Sequence, residues 1–130
     1  MNSFELQFDL TTQENLLPET NGKFVQLQHP TLGEFLVLAT ENRYRFHANI
    51  IDSFCQRQTP PWRFQMNLKR DYGEPIDHHF EIIGGGYWYR NKIKKVLDFY
   101  GSSQAFGPYS AEQLVDKIKQ TDFNHYKINA

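Results

Sequence analysis

Three stretches of this chain bring together residue types that could do chemistry. The first is Arg43-Tyr44-Arg45-Phe46-His47. Residues two apart on an extended backbone share a face, so Arg43, Arg45 and His47 could line one side. Guanidinium groups hold phosphate oxygens bidentately. A neutral imidazole beside them could attack phosphorus or take a proton from water. Spacing alone favours a plainer reading: the arginines are a solvated strand face, and His47 caps or packs. The second stretch is Gly101-Ser102-Ser103-Gln104-Ala105-Phe106-Gly107-Pro108. Small residues between a strand and a helix let backbone N–H groups turn inward as an anion nest, and serine hydroxyls add donors. An ordinary connection with a Gly-Pro turn would read the same way. The third is Gly84-Gly85-Gly86, which lacks the spacing of a dinucleotide fingerprint or a P-loop. It is read as structural, a bulge or tight bend beside a site.

Other chemistries find less support. His78 and His79 are adjacent, so on a strand they point to opposite faces and do not readily chelate one metal. The remaining histidines have no ligand spacing, and a single cysteine cannot build a zinc site. Neither a metal nor a cofactor is expected. Cys55 falls on a helical stripe and reads as core rather than nucleophile. No Ser-His-Asp order is legible. Lys92, Lys94 and Lys95 read as a solvated hairpin edge that discourages further strand pairing.

The elements that must position these residues follow from periodicity. Phe4, Leu6, Phe8 and Leu10 alternate with polar residues, as a half-buried strand does. Residues 11–22 read as a loop. Lys23–Gln28 and Glu34–Thr40 read as a hairpin about His29-Pro30-Thr31-Leu32-Gly33. Ala48, Ile51 and Cys55 form a helical stripe within 47–58, ended by Thr59-Pro60-Pro61. Trp62, Phe64, Met66 and Leu68 alternate as the cleanest strand of all, followed by a turn over 71–75. The apolar face of this Trp62–Pro75 segment is expected to complete the sheet or make an interface, the extra strand being favoured because strands usually pair within their own domain. A strand over 79–83 is expected to stop at the triple glycine. A hairpin follows, 87–89 with 93–100. Ser110 and Gln113 have capping-box spacing before the stripe Ala111, Leu114, Val115 and Ile118. Residues 126–129 read as a last short strand. The sum is one α/β (α+β) domain over residues 1–130, a largely antiparallel sheet with two helices packed on its faces.

Composition sets the boundaries of the reading. The chain has 130 residues, 39% hydrophobic and 15% aromatic, enough for a core without staples. The net charge of −1 argues against a dedicated nucleic-acid binder. With one cysteine, no disulfide framework is expected. The first residues carry no signal-peptide pattern, and the longest apolar run, Phe35–Ala39, is far too short for a membrane span. A soluble, cytoplasmic monomer is the expectation.

In combination, the three stretches resemble the Janus/Ocnus family of protein-histidine phosphatases. The resemblance rests on Phe46-His47-Ala48-Asn49-Ile50 with Asp52, on Ile82-Ile83-Gly84-Gly85-Gly86, and on Tyr100-Gly101-Ser102-Ser103-Gln104-Ala105-Phe106-Gly107-Pro108 before a helix carrying Lys117-Ile118-Lys119. It covers residues 44–56 and 79–120. It implies a phosphohistidine phosphatase-like fold, about six strands between two helices. It also implies a metal-independent hydrolase of P–N bonds, acting on a phosphorylated protein or a small phosphoramidate. By resemblance His47 is catalytic, and Ser103 and Ala105 hold phosphate largely through backbone N–H groups. The family's arginine eight residues before its histidine is Ala39 here. Its lysine after the Gly-x-aromatic is Val25, and its tyrosine before the loop serine is Ser102. Lys23, on the other side of Phe24, is expected to face away from the site. Arg43 or Arg45 is our candidate for the missing cation. The alternative reading is a non-catalytic binding or regulatory domain that keeps the fold with a degenerate phosphatase site.

Overall fold

The computed structural model describes residues 3–76 and 80–130. The His78-His79 pair lies outside the described residues. In chain order the first elements are β1 (Phe4–Asp9), α1 (Thr12–Leu16), β2 (Glu19–His29), β3 (Gly33–Thr40) and α2 (His47–Gln56). They are followed by β4 (Phe64–Met66), β5 (Gly73–Pro75), β6 (Glu81–Asn91), β7 (Val96–Tyr100), α3 (Leu114–Lys119) and β8 (Lys127–Asn129).

Six strands form the main sheet in the order β1-β3-β2-β6-β7-β8. The inner pairs β3–β2, β2–β6 and β6–β7 are antiparallel, and the two edge strands β1 and β8 lie parallel to their neighbours. The mixed α+β architecture agrees with the sequence reading. The number of helices does not: there are three among the described residues rather than two. The extra one, α1, sits in the expected loop. Thr11 accepts a hydrogen bond from the Glu14 N–H, and the Glu14 carboxylate accepts one from the Thr11 N–H. That reciprocal cap stabilises a single turn that has no apolar stripe to reveal it.

Period-two alternation sorts the core into two layers. Phe24 of β2, Leu36 and Leu38 of β3, Trp88 of β6, and Leu97 and Phe99 of β7 face α3, where Leu114 and Ile118 cover them. Val25 and Leu27 of β2, with Phe35, Val37 and Ala39 of β3, face α2, where Ile50, Ile51, Phe54 and Cys55 cover them. Each such fully buried Leu or Phe stabilises by about 1.5–3 kcal/mol. Trp88 also satisfies its indole N–H, donating to the Ala39 carbonyl at 2.9 Å.

Three local expectations are corrected. β6 does not stop at the triple glycine but runs through it. The interruption comes just before, where Gln26 pairs with Gly84 and Leu27 with Ile82, leaving Ile83 as a bulge. The 62–68 alternation does not join the main sheet. Only Phe64–Met66 is strand, paired with Gly73–Pro75 in a separate two-stranded sheet. Its apolar side chains pack over α2 instead: Trp62 and Phe64 lean on the α2 layer, and Trp62 stacks on Phe80 at 5.1 Å. Finally, α3 begins at Leu114, and the Ser110–Gln113 capping box does not form. The buried Gln26 side chain accepts from the Ser110 N–H at 2.7 Å and donates to the Ser110 carbonyl at 3.2 Å. Ser110 is thereby held beside the sheet, and Gln113 makes the entry into α3 at φ 59°.

Candidate active site

α2 starts at His47, and its N-cap is Phe46, a residue with no side-chain acceptor for the first-turn amides. Two other groups supply acceptors. The Asn49 side-chain oxygen takes the Phe46 N–H at 3.0 Å. The Asp71 carboxylate, 23 residues along the chain, takes the Ala48 N–H through Oδ1 at 2.8 Å. Its other oxygen, Oδ2, lies 3.0 Å from His47 Nδ1. On the opposite side of the ring, Nε2 lies 3.0 Å from the Gly86 carbonyl oxygen. His47 is therefore clamped between an acidic side chain and the sheet, with only 2% of its surface exposed.

The ring fits because β6 has no side chain beneath it. A Cβ on Gly85 would stand 3.1 Å from His47 Cδ2 and 2.5 Å from the Phe24 carbonyl oxygen. Gly84 serves the neighbouring loop in the same way, since a Cβ there would be 2.0 Å from the Pro108 carbonyl oxygen. The Tyr87 ring meets His47 edge-on at 5.8 Å.

Beside His47 opens a cleft of about 250 Å³, lined by Lys23, Arg45, Phe46, His47, Asp71, Tyr87 and Gln104. Lys23 is a correction to the sequence reading. It lies two positions from Val25, so it shares that residue's face and points to the α2 side. Its Nζ stands 5.8 Å from the centre of the Tyr87 ring and 3.4 Å from Glu41 Oε1. In the sheet register Lys23 is directly opposite Ala39, the position that the sequence resemblance matches to an arginine. Val25 and Ala39 themselves are sealed in the apolar layer under α2.

Arg45 is exposed at the rim, its guanidinium 5.0 Å from the centre of the Phe46 ring. Arg43 is not in the cleft. Its Nε donates to Asp9 Oδ1 at 2.9 Å, and the same carboxylate receives Arg57 at 3.1 Å. The shared-face argument fails because residues 41–43 form a turn, with the Arg43 and Tyr44 amides both directed at the Thr40 carbonyl.

The 101–108 loop continues along the edge of β6 where β7 ends. Ser103 fastens it. The Ser103 N–H donates to the Gly85 carbonyl at 3.0 Å, and its Oγ accepts from the Phe106 N–H at 3.1 Å. The Ser103 amide is thus committed to the sheet. Among the described residues, the amides of Gln104 and Ala105 have no backbone or side-chain acceptor. Of these two positions, Gln104 lines the cleft.

In the sequence Asp71 marks only the start of a turn. The signal that pointed to it is indirect: a helix opening on Phe46-His47-Ala48 needs an acceptor it does not itself carry. The β4–β5 hairpin supplies it. Trp62 donates its N–H to the Cys55 carbonyl at the end of α2, Met66 Sδ meets the Asn49 amide, and the Tyr72 ring stacks on Phe106. Burial works against ionisation of Asp71, but hydrogen bonds from His47 and the Ala48 N–H, with the positive charge of His47, hold its carboxyl below the usual range. Cys55 is different. Burial, with the Asp52 charge adding to it, pushes its thiol up to about 12, which fits a core residue.

Larger concavities exist, such as the 480 Å³ groove lined by Gln28, Glu34, Gln113 and Lys117, which includes no histidine among its described lining residues. Among the described residues no three His, Cys, Asp or Glu side chains converge on a metal site. Among the same residues no helix is long and apolar enough to cross a membrane. No curated protein matches the chain. The Janus/Ocnus family model matches residues 18–127, a span that includes His47, the triple glycine and the 101–108 loop. The chain belongs to the Janus/Ocnus family.

Proposed function

We propose that this protein is a metal-independent phosphatase of P–N bonds, with phosphohistidine in proteins or a small phosphoramidate as substrate and His47 as its catalytic residue. The observation that carries the reading is one buried histidine at a helix N-terminus beside a cleft with two cations, Lys23 and Arg45. Lys23 takes over the role of the family arginine from the neighbouring strand. A phosphoryl group in the cleft would meet Lys23, Arg45 and the amides of Gln104 and Ala105, the kind of fixed positive surround that phosphoryl transfer needs.

The imidazole would act in one of two ways. As nucleophile, its lone pair attacks phosphorus and the P–N bond of the substrate breaks, with the leaving nitrogen protonated by solvent. Water then attacks the phosphorus, frees phosphate and restores the ring. As base, His47 takes a proton from water while that water attacks phosphorus directly.

A second reading has an observation of its own. Both ring nitrogens of His47 already face acceptors, so no lone pair is offered to the cleft. That favours a binding or regulatory domain built on a phosphatase fold. Hydrolysis of phosphoramidate and of a phosphohistidine peptide, without metal, separates the two. Turnover in the wild type that is lost in His47→Ala supports the phosphatase. Absence of turnover in folded wild-type protein selects the binding domain.

A further inference from the structure

The arrangement around Asp71 has the form of an occupied anion site. One carboxylate oxygen accepts from the backbone N–H of Ala48, at the positive end of a ten-residue helix. The other faces His47 Nδ1, and Lys23, Arg45 and Gln104 line the same cleft. These are the groups that a phosphoryl oxygen would use. A carboxylate and a phosphate compete for one set of donors, since each needs the same N–H groups and the same positive charge.

The ring geometry makes the competition specific. His47 Nε2 is turned to the Gly86 carbonyl, which accepts only, so that nitrogen keeps its proton. With Asp71 in place Nδ1 donates to its carboxylate, so a lone pair for chemistry is exposed on Nδ1 only when Asp71 leaves and that proton is lost. Nδ1 is the atom that Asp71 covers at 3.0 Å. Reaction at phosphorus and the Asp71–His47 contact exclude each other.

We propose that Asp71, carried by the β4–β5 hairpin, is an internal anionic ligand that occupies the phosphate subsite and must swing out before a phosphoryl group can enter. The inference rests on the phosphate-site reading of the cleft, though not on turnover. The means of release is local. The Asp71 side chain is 21% exposed, at the rim, so rotation about its own side-chain bonds opens the cleft to solvent. The hairpin that carries it is a two-stranded ribbon outside the main sheet, with three residues in each strand.

The test is titration of wild type, Asp71→Ala and Asp71→Asn with inorganic phosphate and with phosphoramidate. Binding is followed at the Ala48 amide and the His47 ring by NMR, and turnover is assayed in parallel. Removing one negative charge and vacating the donors should tighten phosphate at least about tenfold in Asp71→Ala. Asp71→Asn, which keeps the shape and one acceptor, should fall between. In a phosphatase, KM for phosphoramidate falls with the same order. Unchanged or weaker phosphate binding in both folded variants overturns the proposal. So does a fall in kcat with KM unmoved, which would make Asp71 a positioning partner for the imidazole. Tighter phosphate with no turnover in any variant supports the plug while ending the phosphatase reading.

Discussion

The two faces of the main sheet have opposite designs. The face under α3 is packed with aromatic rings: Phe24 meets Phe99 and Tyr109 edge-on, and Phe8 meets Trp88 in the same way. Among its buried polar groups, Gln26 is bonded to Glu34 and Ser110, and Glu34 is paired with Lys117 at 2.7 Å, while Thr20 Oγ1 and Arg90 Nε have no hydrogen-bond partner among the described residues. The face under α2 has rings of its own, with Phe35, Phe54 and Trp62 in mutual contact, but it becomes polar toward Lys23, Tyr87 and Gly85. There the layer gives way to His47, clamped by a carboxylate and a backbone carbonyl. One face spends its side chains on stability. The other leaves a gap, made by glycines, into which the His47 ring is set.

The largest effects should separate the faces cleanly. Trp88→Ala, which opens a void in the aromatic layer, should cost about 3–5 kcal/mol in urea unfolding. His47→Ala should lower turnover of phosphoramidate by at least about a hundredfold, with a much smaller loss of stability. Equal destabilisation by the two would mean that His47 is chiefly a packing residue and would break the comparison.

A smaller effect sharpens it. Lys23→Met should weaken inorganic phosphate about tenfold, the scale of one lost charge contact near a surface. Arg43→Ala should leave phosphate affinity unchanged, because Arg43 is held by Asp9 away from the cleft. Isothermal titration of the two variants side by side checks this, and a reversal would return the role of cation to the residue that spacing suggested.

The smallest expected effect is in acid. The Asp71 carboxyl is held below its ordinary value of 3.8, so the folded state binds its proton less readily than the unfolded chain does. The stability it contributes is complete above that ordinary value and is lost as pH falls through the lower, folded value. Wild type should therefore be more stable than Asp71→Asn near neutral pH. The two melting curves should converge as pH falls below about 4. A gap that persists into strong acid would show that the contact does not depend on the charge of Asp71.

The apolar layers were legible from periodicity alone, since alternation assigns each strand residue to one face whatever the register. The start of α2 was legible too, from the change of period at His47. The limits of that reading are instructive. Thr11–Glu14 has the spacing of a reciprocal cap, yet with no apolar stripe it signalled nothing. The 62–68 alternation spelled a strand correctly but did not say which sheet would take it. Ser110 and Gln113 had the right spacing for a capping box, and a distant Gln26 took the Ser110 backbone instead.

The residues of the cleft divide along the same line. His47, the triple glycine and the Ser103 loop could be singled out in advance because they lie in short contiguous motifs, in which neighbours in sequence are neighbours in space. Local pattern also settled the α+β class, as strand and helix periods are properties of a few consecutive side chains. The cation and the carboxylate could not be settled that way. Lys23 reaches His47 across a sheet, and Asp71 reaches it from a hairpin inserted 24 residues later. Whether such groups meet depends on strand register and on where a hairpin lies down, and both follow from packing summed over the whole core rather than from any segment of the chain.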